Sequence, residues 1–307
     1  VTLFLVLGGG KATTGGAGAD GGDEAEAAAD NSGGDPGIPD SALGMGRIDI
    51  EAVQDHWLYK SFAEKNLKAV TEDGDYKEFE KTTGLSIDSF KSATAGFRLG
   101  EDDELEGALL LVGDYDVEKL TPELEKELAR GKPERIHEIG EHTFYGRKND
   151  AIAGLLDDET GLGGTFKMVE DVLAVAKGGK TFADRKGMDR VLDAIDAEDA
   201  TAWLAGRATD ELIALVVAEL GPDVQTYVGD GDLLGLSVSL GDGIEISAAF
   251  LSRDEARAEN AEKQAKQMVD LGKSTAANEP GIPDDVREAA KTVLANIELE
   301  RDGTLLT

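Results

Sequence analysis

Apolar residues along this chain fall into short alternating or continuous runs parted by glycine and acidic turns, and into longer stretches with helical spacing. A strand is expected over 43–50, carried by Met45, Ile48 and Ile50, after the turn signal Ile38-Pro39-Asp40-Ser41. Residues 51–70 place Val53, Trp57, Leu58, Phe62, Leu67 and Val70 three to five apart, the stripe of an amphipathic helix lying on a sheet. Segments 90–99 and 104–115 read as a β-hairpin closed by Gly100-Glu101-Asp102-Asp103, with the buried run Ala108-Leu109-Leu110-Leu111-Val112 in its second strand. A helix follows over 117–130, acidic early and ending at Arg130-Gly131, as dipole preference and C-terminal glycine chemistry favour. Strands are then expected at 136–139, 143–147 and 151–156, in a meander closed by Asp157-Asp158-Glu159-Thr160-Gly161. Two amphipathic helices come next, over 165–176 and 188–195.

The hairpin and its helix recur. The stretch 95–111 followed by the helix at 117–130 matches 236–251 followed by a helix at 254–271, each running strand, acidic glycine turn, strand, charged helix. Upstream, 41–51 and 200–211 are loosely comparable, each leading into a helix, and 293–304 echoes the meander near 136–147. The expected fold is therefore α+β, built of two similar modules of antiparallel β-sheet covered by helices. The first module takes 38–197 with a helical extension, and the second takes 198–307. The second copy of Pro-Gly-Ile-Pro-Asp, at 280–284 as at 36–40, reads as reused turn chemistry.

Ahead of the modules the pattern changes. Val1 to Leu7 are apolar except for Thr2 and give way to Gly8-Gly9-Gly10. So short a run falls below the about 20 residues needed to span a bilayer, and 1–10 reads as the remnant of an export signal. Residues 11–37 are rich in Gly, Ala, Asp and Glu, with almost nothing to offset the entropy of ordering, and are expected to form a flexible, disordered tether.

Composition sharpens this picture. Asp and Glu number 63 against 31 Lys and Arg, a net charge of −32, which disfavours nucleic acid and anionic membrane surfaces as partners. Only 5% of residues are aromatic against 40% hydrophobic, so the core rests on Ala, Val, Leu and Ile. Cysteine is absent, which removes disulfides, thiolate metal sites and cysteine nucleophiles.

With an export signal, a low-complexity acidic stretch to Asp35 and a body entered through Pro39-Asp40-Ser41-Ala42-Leu43-Gly44, the chain resembles secreted prokaryotic lipoproteins. Its acidity is similar to that of proteins from salt-loving organisms. The resemblance concerns about the first 45 residues and implies envelope localisation, with no catalytic residues. Gly10 stands where the lipid-bearing cysteine of that family would follow Leu7-Gly8-Gly9.

Candidate chemistry is sparse. His56, His137 and His142 lack the His-Glu-x-x-His spacing of a helical zinc site and read as surface or partly buried histidines. Gly178-Gly179-Lys180-Thr181 contains Gly-Lys-Thr, but it ends a helix instead of opening one, unlike a phosphate loop. Acidic turns offer the oxygen ligands calcium prefers, and the positions that would hold it are Asp157, Asp158, Glu159, Asp230 and Asp232; none lies in a loop of EF-hand pattern. No other cofactor is expected. The expected function is that of a non-catalytic exported protein, periplasmic or at the cell surface, acting by binding or assembly with a protein or envelope component. The alternative is a hydrolase or calcium-dependent enzyme with a carboxylate site in the cleft between the modules.

Overall fold

The computed structural model describes residues 37–57, 84–86, 89–100, 104–209, 232–241, 243–278 and 295–307, with positions 59, 77 and 81. The expected export signal, the expected tether up to residue 36, most of the helix expected over 51–70, the turn at 101–103, Asp230 and the motif at 280–284 lie outside them. The fold is α+β, with antiparallel sheet and a few helices, and the chain divides into one compact unit through Arg185 and another from Lys186. No helix among the described residues is long and apolar enough to cross a membrane.

In the first unit, β1 (Gly44–Asp49) leads into the short helix α1 (Ile50–Asp55), whose N-cap Asp49 accepts a hydrogen bond from the Ala52 amide at 2.8 Å. The hairpin pairs β2 (Phe90–Leu99) with β3 (Leu105–Gly113). Helix α2 (Val117–Leu124) continues as a π-helical turn over Glu125–Ala129 and stops at Arg130, which adopts the left-handed conformation at φ 53°. Strands β4 (Ile136–Ile139), β5 (His142–Gly146), β6 (Ile152–Leu155) and β7 (Thr160–Gly164) complete an antiparallel sheet ordered β1-β2-β3-β7-β6-β5-β4. The meander thus has four strands where three are expected from sequence, and the additional one, β7, sits beside β3.

Alternation along β3 sends its side chains to two cores. Leu109 and Leu111 cluster with Leu85, Tyr115 and Leu120 of α2, while Ala108 and Leu110 point the other way. Arg98 identifies what covers that second face. It lies opposite Glu106 in the ladder, and its guanidinium donates to Glu106 at 2.6 Å, to Ser41 Oγ at 2.8 Å and to Asp171 of α3 (Phe166–Val175) at 2.5 Å. Helix α3 therefore packs on the side of Ala108 and Leu110, burying Met168, Val169 and Val172.

The Arg98 and Glu106 side chains are only 15% and 16% exposed, so removing one partner strands a charge that water reaches poorly. Arg98→Met is expected to destabilise the chain by about 2–3 kcal/mol, whereas Lys91→Met, which breaks the exposed pair with Asp114, leaves the unfolding midpoint close to the parent's. Urea denaturation of the two variants checks the contrast, and equal midpoints would refute the burial argument.

In the second unit, α4 (Met188–Ala194) precedes β8 (Ala202–Arg207), β9 (Leu233–Leu240) and β10 (Ile244–Leu251). Ala205, Gly235 and Ala249 stand in one cross-strand row, and these small residues let α4 approach closely. A Cβ on Gly235 would lie 2.6 Å from Val191 Cγ1, and Met188, Val191 and Ile195 are fully buried there. The opposite face carries Leu204 beside Leu236, with Ile244 and Ile246, all exposed. Helix α5 (Glu255–Asn278) and the two-residue strands β11 (Arg301–Asp302) and β12 (Leu305–Leu306) finish a sheet ordered β8-β9-β10-β12-β11. The stretch 200–211, expected like 41–51 to lead into a helix, holds strand β8, and the residues that follow Thr209 up to 231 lie outside the described ones. Helix α4 belongs to this second unit, because its apolar side packs on β9 and β10.

Candidate functional site

Three elements of the first unit converge on a cleft of about 300 Å³. Helix α2 contributes Val117, Thr121 and Leu124, which share a face because they stand at i, i+4 and i+7. The helix starts where it does because Asp116 caps it, accepting from the Lys119 amide at 3.2 Å and pairing with the Lys119 ammonium at 2.6 Å. The hydrogen bond from the Lys119 side chain, followed by that from its backbone amide, holds the Asp116 carboxyl below the usual carboxylate range.

The second wall is β5 and the turn before it. Ile139 pairs with His142, leaving a two-residue turn in which Gly140 takes the left-handed φ of 66°. This places Glu141, His142 and Thr143 on the rim and Tyr145 deeper in the cleft. His142 Nε2 stands 3.9 Å from Glu141, too far for a hydrogen bond, and the Thr143 hydroxyl donates to Glu138 at 3.1 Å. Tyr145 is only 7% exposed, yet its phenol makes no hydrogen bond among the described residues. Burial first, and then the carboxylates of Glu125 and Glu138, push its pKa above the ordinary phenol value.

The third wall is the end of β6 and its turn, with Leu155 and Leu156 below and Asp157 and Asp158 above. Asp157 Oδ1 accepts from the amides of Glu159 at 2.8 Å and Thr160 at 2.6 Å, which closes the turn into β7. Asp158 also lines a shallower acidic hollow with Glu159, Asp114, Asp116 and Tyr115. The Tyr115 hydroxyl donates to the Leu111 carbonyl at 2.9 Å, and burial raises its pKa strongly.

Of the carboxylates expected to hold calcium, Asp157, Asp158 and Glu159 share this one turn. Asp232 lies in the second unit and is fully buried, where it accepts from the Arg253 amide at 3.2 Å and stands 3.9 Å from the Arg257 guanidinium. Its environment is that of a structural residue at the entry to β9. Asp230 falls outside the described residues. Among the described residues, no three His, Asp or Glu side chains gather as metal ligands would.

The histidines do not meet. His137 bonds the Gly146 carbonyl at 3.1 Å and sets its ring edge-on to Phe166, while His56 is buried beside Trp57. In the Gly-Lys-Thr segment, Thr181 forms a capping box with Asp184 on a short 3-10 turn. Sequence reasoning singled out the acidic turn and His142 but missed Tyr145 and Thr121, which look like ordinary strand and helix positions until β5 and α2 are brought together. No family model, curated protein or solved structure matches this chain.

Proposed function

We propose that the chain is a non-catalytic exported protein, in the periplasm or at the cell surface, which acts by binding or assembly. The observation that carries this is the cleft itself, where the phenol oxygen of Tyr145, without a partner among the described residues, opens onto a recess bounded by apolar walls and carboxylates. Such a mixture of apolar surface and a few placed polar groups is what ligand sites share. The acidic glycine-rich leader supports a body held away from an envelope anchor point.

The body is read as two copies of one module. In the first unit a lead strand, β1, pairs with a hairpin, β2-β3, which is followed by a helix and by strands that return to the outer side of β3. In the second, β8 pairs with the hairpin β9-β10, a helix follows, and β12 returns to the outer side of β10. The shared order supports duplication, with a longer return meander in the first copy.

Fractionation of the source cells, with crosslinking and mass spectrometry of what copurifies, tests the function. The expected result is recovery from the envelope or medium with a bound molecule or partner. Recovery only as a free cytosolic monomer would overturn it.

A further inference from the structure

We infer that the cleft between α2, β5 and the β6–β7 turn binds a small primary alkylammonium ion, a proposal that rests on the binding function above and gives it a ligand class. Two independent features of the cleft converge on this chemistry. The first is charge. Glu141, Asp157 and Asp158 stand at the mouth, and no Lys or Arg is among the described residues that line the cleft. A cation is favoured there and an anion repelled.

The second feature is Tyr145. The residue is more than nine-tenths buried, and its phenol oxygen, which has no partner among the described residues and stays open to the cleft, can accept a hydrogen bond from a guest in place of water. A cation bearing N–H groups can donate to the phenol oxygen while its charge faces the carboxylates. A quaternary ammonium or an alkali ion brings the charge without the donor.

The apolar part of the lining sets the rest of the ligand. Val117, Leu124, Leu155 and Leu156 form an apolar lining suited to a short alkyl chain, and a volume of about 300 Å³ admits a guest of a few carbons and excludes a folded macromolecule. Asp157 has one carboxylate oxygen committed to two backbone amides, so Asp158 and Glu141 are the charges freer to turn toward a guest.

Butylammonium chloride is the probe, titrated into the full chain and followed by amide chemical shifts, with tetramethylammonium chloride and sodium chloride at equal ionic strength as comparators. The expected result is saturable binding with a dissociation constant on the order of 1–10 mM, and shifts confined to 117–124, 141–146 and 155–160. Tetramethylammonium is expected to bind at least about fivefold more weakly, as is butylammonium to Tyr145→Phe. That variant keeps the ring and breaks no hydrogen bond among the described residues, so its fold is retained. Asp158→Asn weakens both organic cations alike, since it removes charge and not the acceptor.

Equal responses to butylammonium and sodium, or shifts spread over the acidic surface, would overturn the proposal. So would a Tyr145→Phe variant that binds as the parent does. An envelope protein with a copurifying partner but no amine response leaves the function standing and removes only this ligand, whereas amine binding by a cytosolic monomer does the reverse.

Discussion

Raising sodium chloride from about 0.1 M to about 2 M is expected to lift the thermal midpoint of this chain by roughly 10 °C. The cause is the chain's excess of 32 negative charges, 63 acidic residues against 31 basic, most of it on a folded body that brings charges closer together than an unfolded chain does. At about 0.1 M salt the screening length is about 10 Å, so carboxylates on neighbouring turns repel; at about 1 M it falls to about 3 Å and the repulsion is largely gone. Asp114, Asp116, Asp158 and Glu159 around a single hollow illustrate the crowding. Salt also weakens attractive pairs such as Lys126 with Glu123 and Lys263 with Glu259, but each exposed pair contributes about 1 kcal/mol at most. The excess of like charges decides the sign. A midpoint lift of this size corresponds to about 6 kcal/mol for a chain of this length. Calorimetry at rising chloride concentration reads it directly, and a flat or falling midpoint would show that self-repulsion does not limit stability and would withdraw the likeness to salt-adapted proteins.

Much of the framework was legible because the apolar pattern was local. The hairpin β2-β3 and strand β4 fall at the expected places, since continuous runs such as Leu109-Leu110-Leu111 can satisfy two covered faces only as a central strand. What stayed hidden depended on partners remote in sequence. Strand β7, Thr160-Gly161-Leu162-Gly163-Gly164, holds one large apolar residue and has low intrinsic strand preference; pairing with β3 on one side and β6 on the other forms it. Strand β8 lies in a stretch that resembles 41–51 only loosely in sequence, and its ladder with β9 is what places it in the sheet. Only the covering of β3 by α2 on one face and α3 on the other explains why Arg98 is a half-buried anchor instead of a surface charge.

The candidate site was half legible for the same reason. Its carboxylates announce themselves as an acidic turn, but acidic turns abound in this chain and the sequence alone does not rank them. The discriminating residue, Tyr145, sits in an unremarkable strand, and its free phenol is a property of the space between β5 and α2. Helix periodicity could have aligned Val117, Thr121 and Leu124, yet it carries no information on which strand they face.

Gly146→Val is expected to cost about 3–5 kcal/mol and to collapse the cleft wall, the largest effect of a single substitution near the site. Gly146 adopts φ 139°, a conformation that residues with a side chain rarely take, and a Cβ there would lie 2.2 Å from the Ala151 carbonyl oxygen and 2.9 Å from Ile152 Cα. Both are backbone atoms of the neighbouring strand, so no side-chain rotation relieves the clash. The β5–β6 ladder is short, with Gly146 opposite Ile152 and Tyr145 opposite Ala153. Displacing the first pair therefore pulls on the second, and Tyr145 is the residue whose placement the cleft requires. Gly241→Ala provides the contrast, because a Cβ there meets nothing within 4 Å, and it is expected to change stability by less than about 0.5 kcal/mol. Urea unfolding of both variants measures the difference. If Gly146→Val unfolded at the parent's midpoint, the register of β5 on β6 would be wrong, and the wall that sets Tyr145 into the cleft would lose its basis.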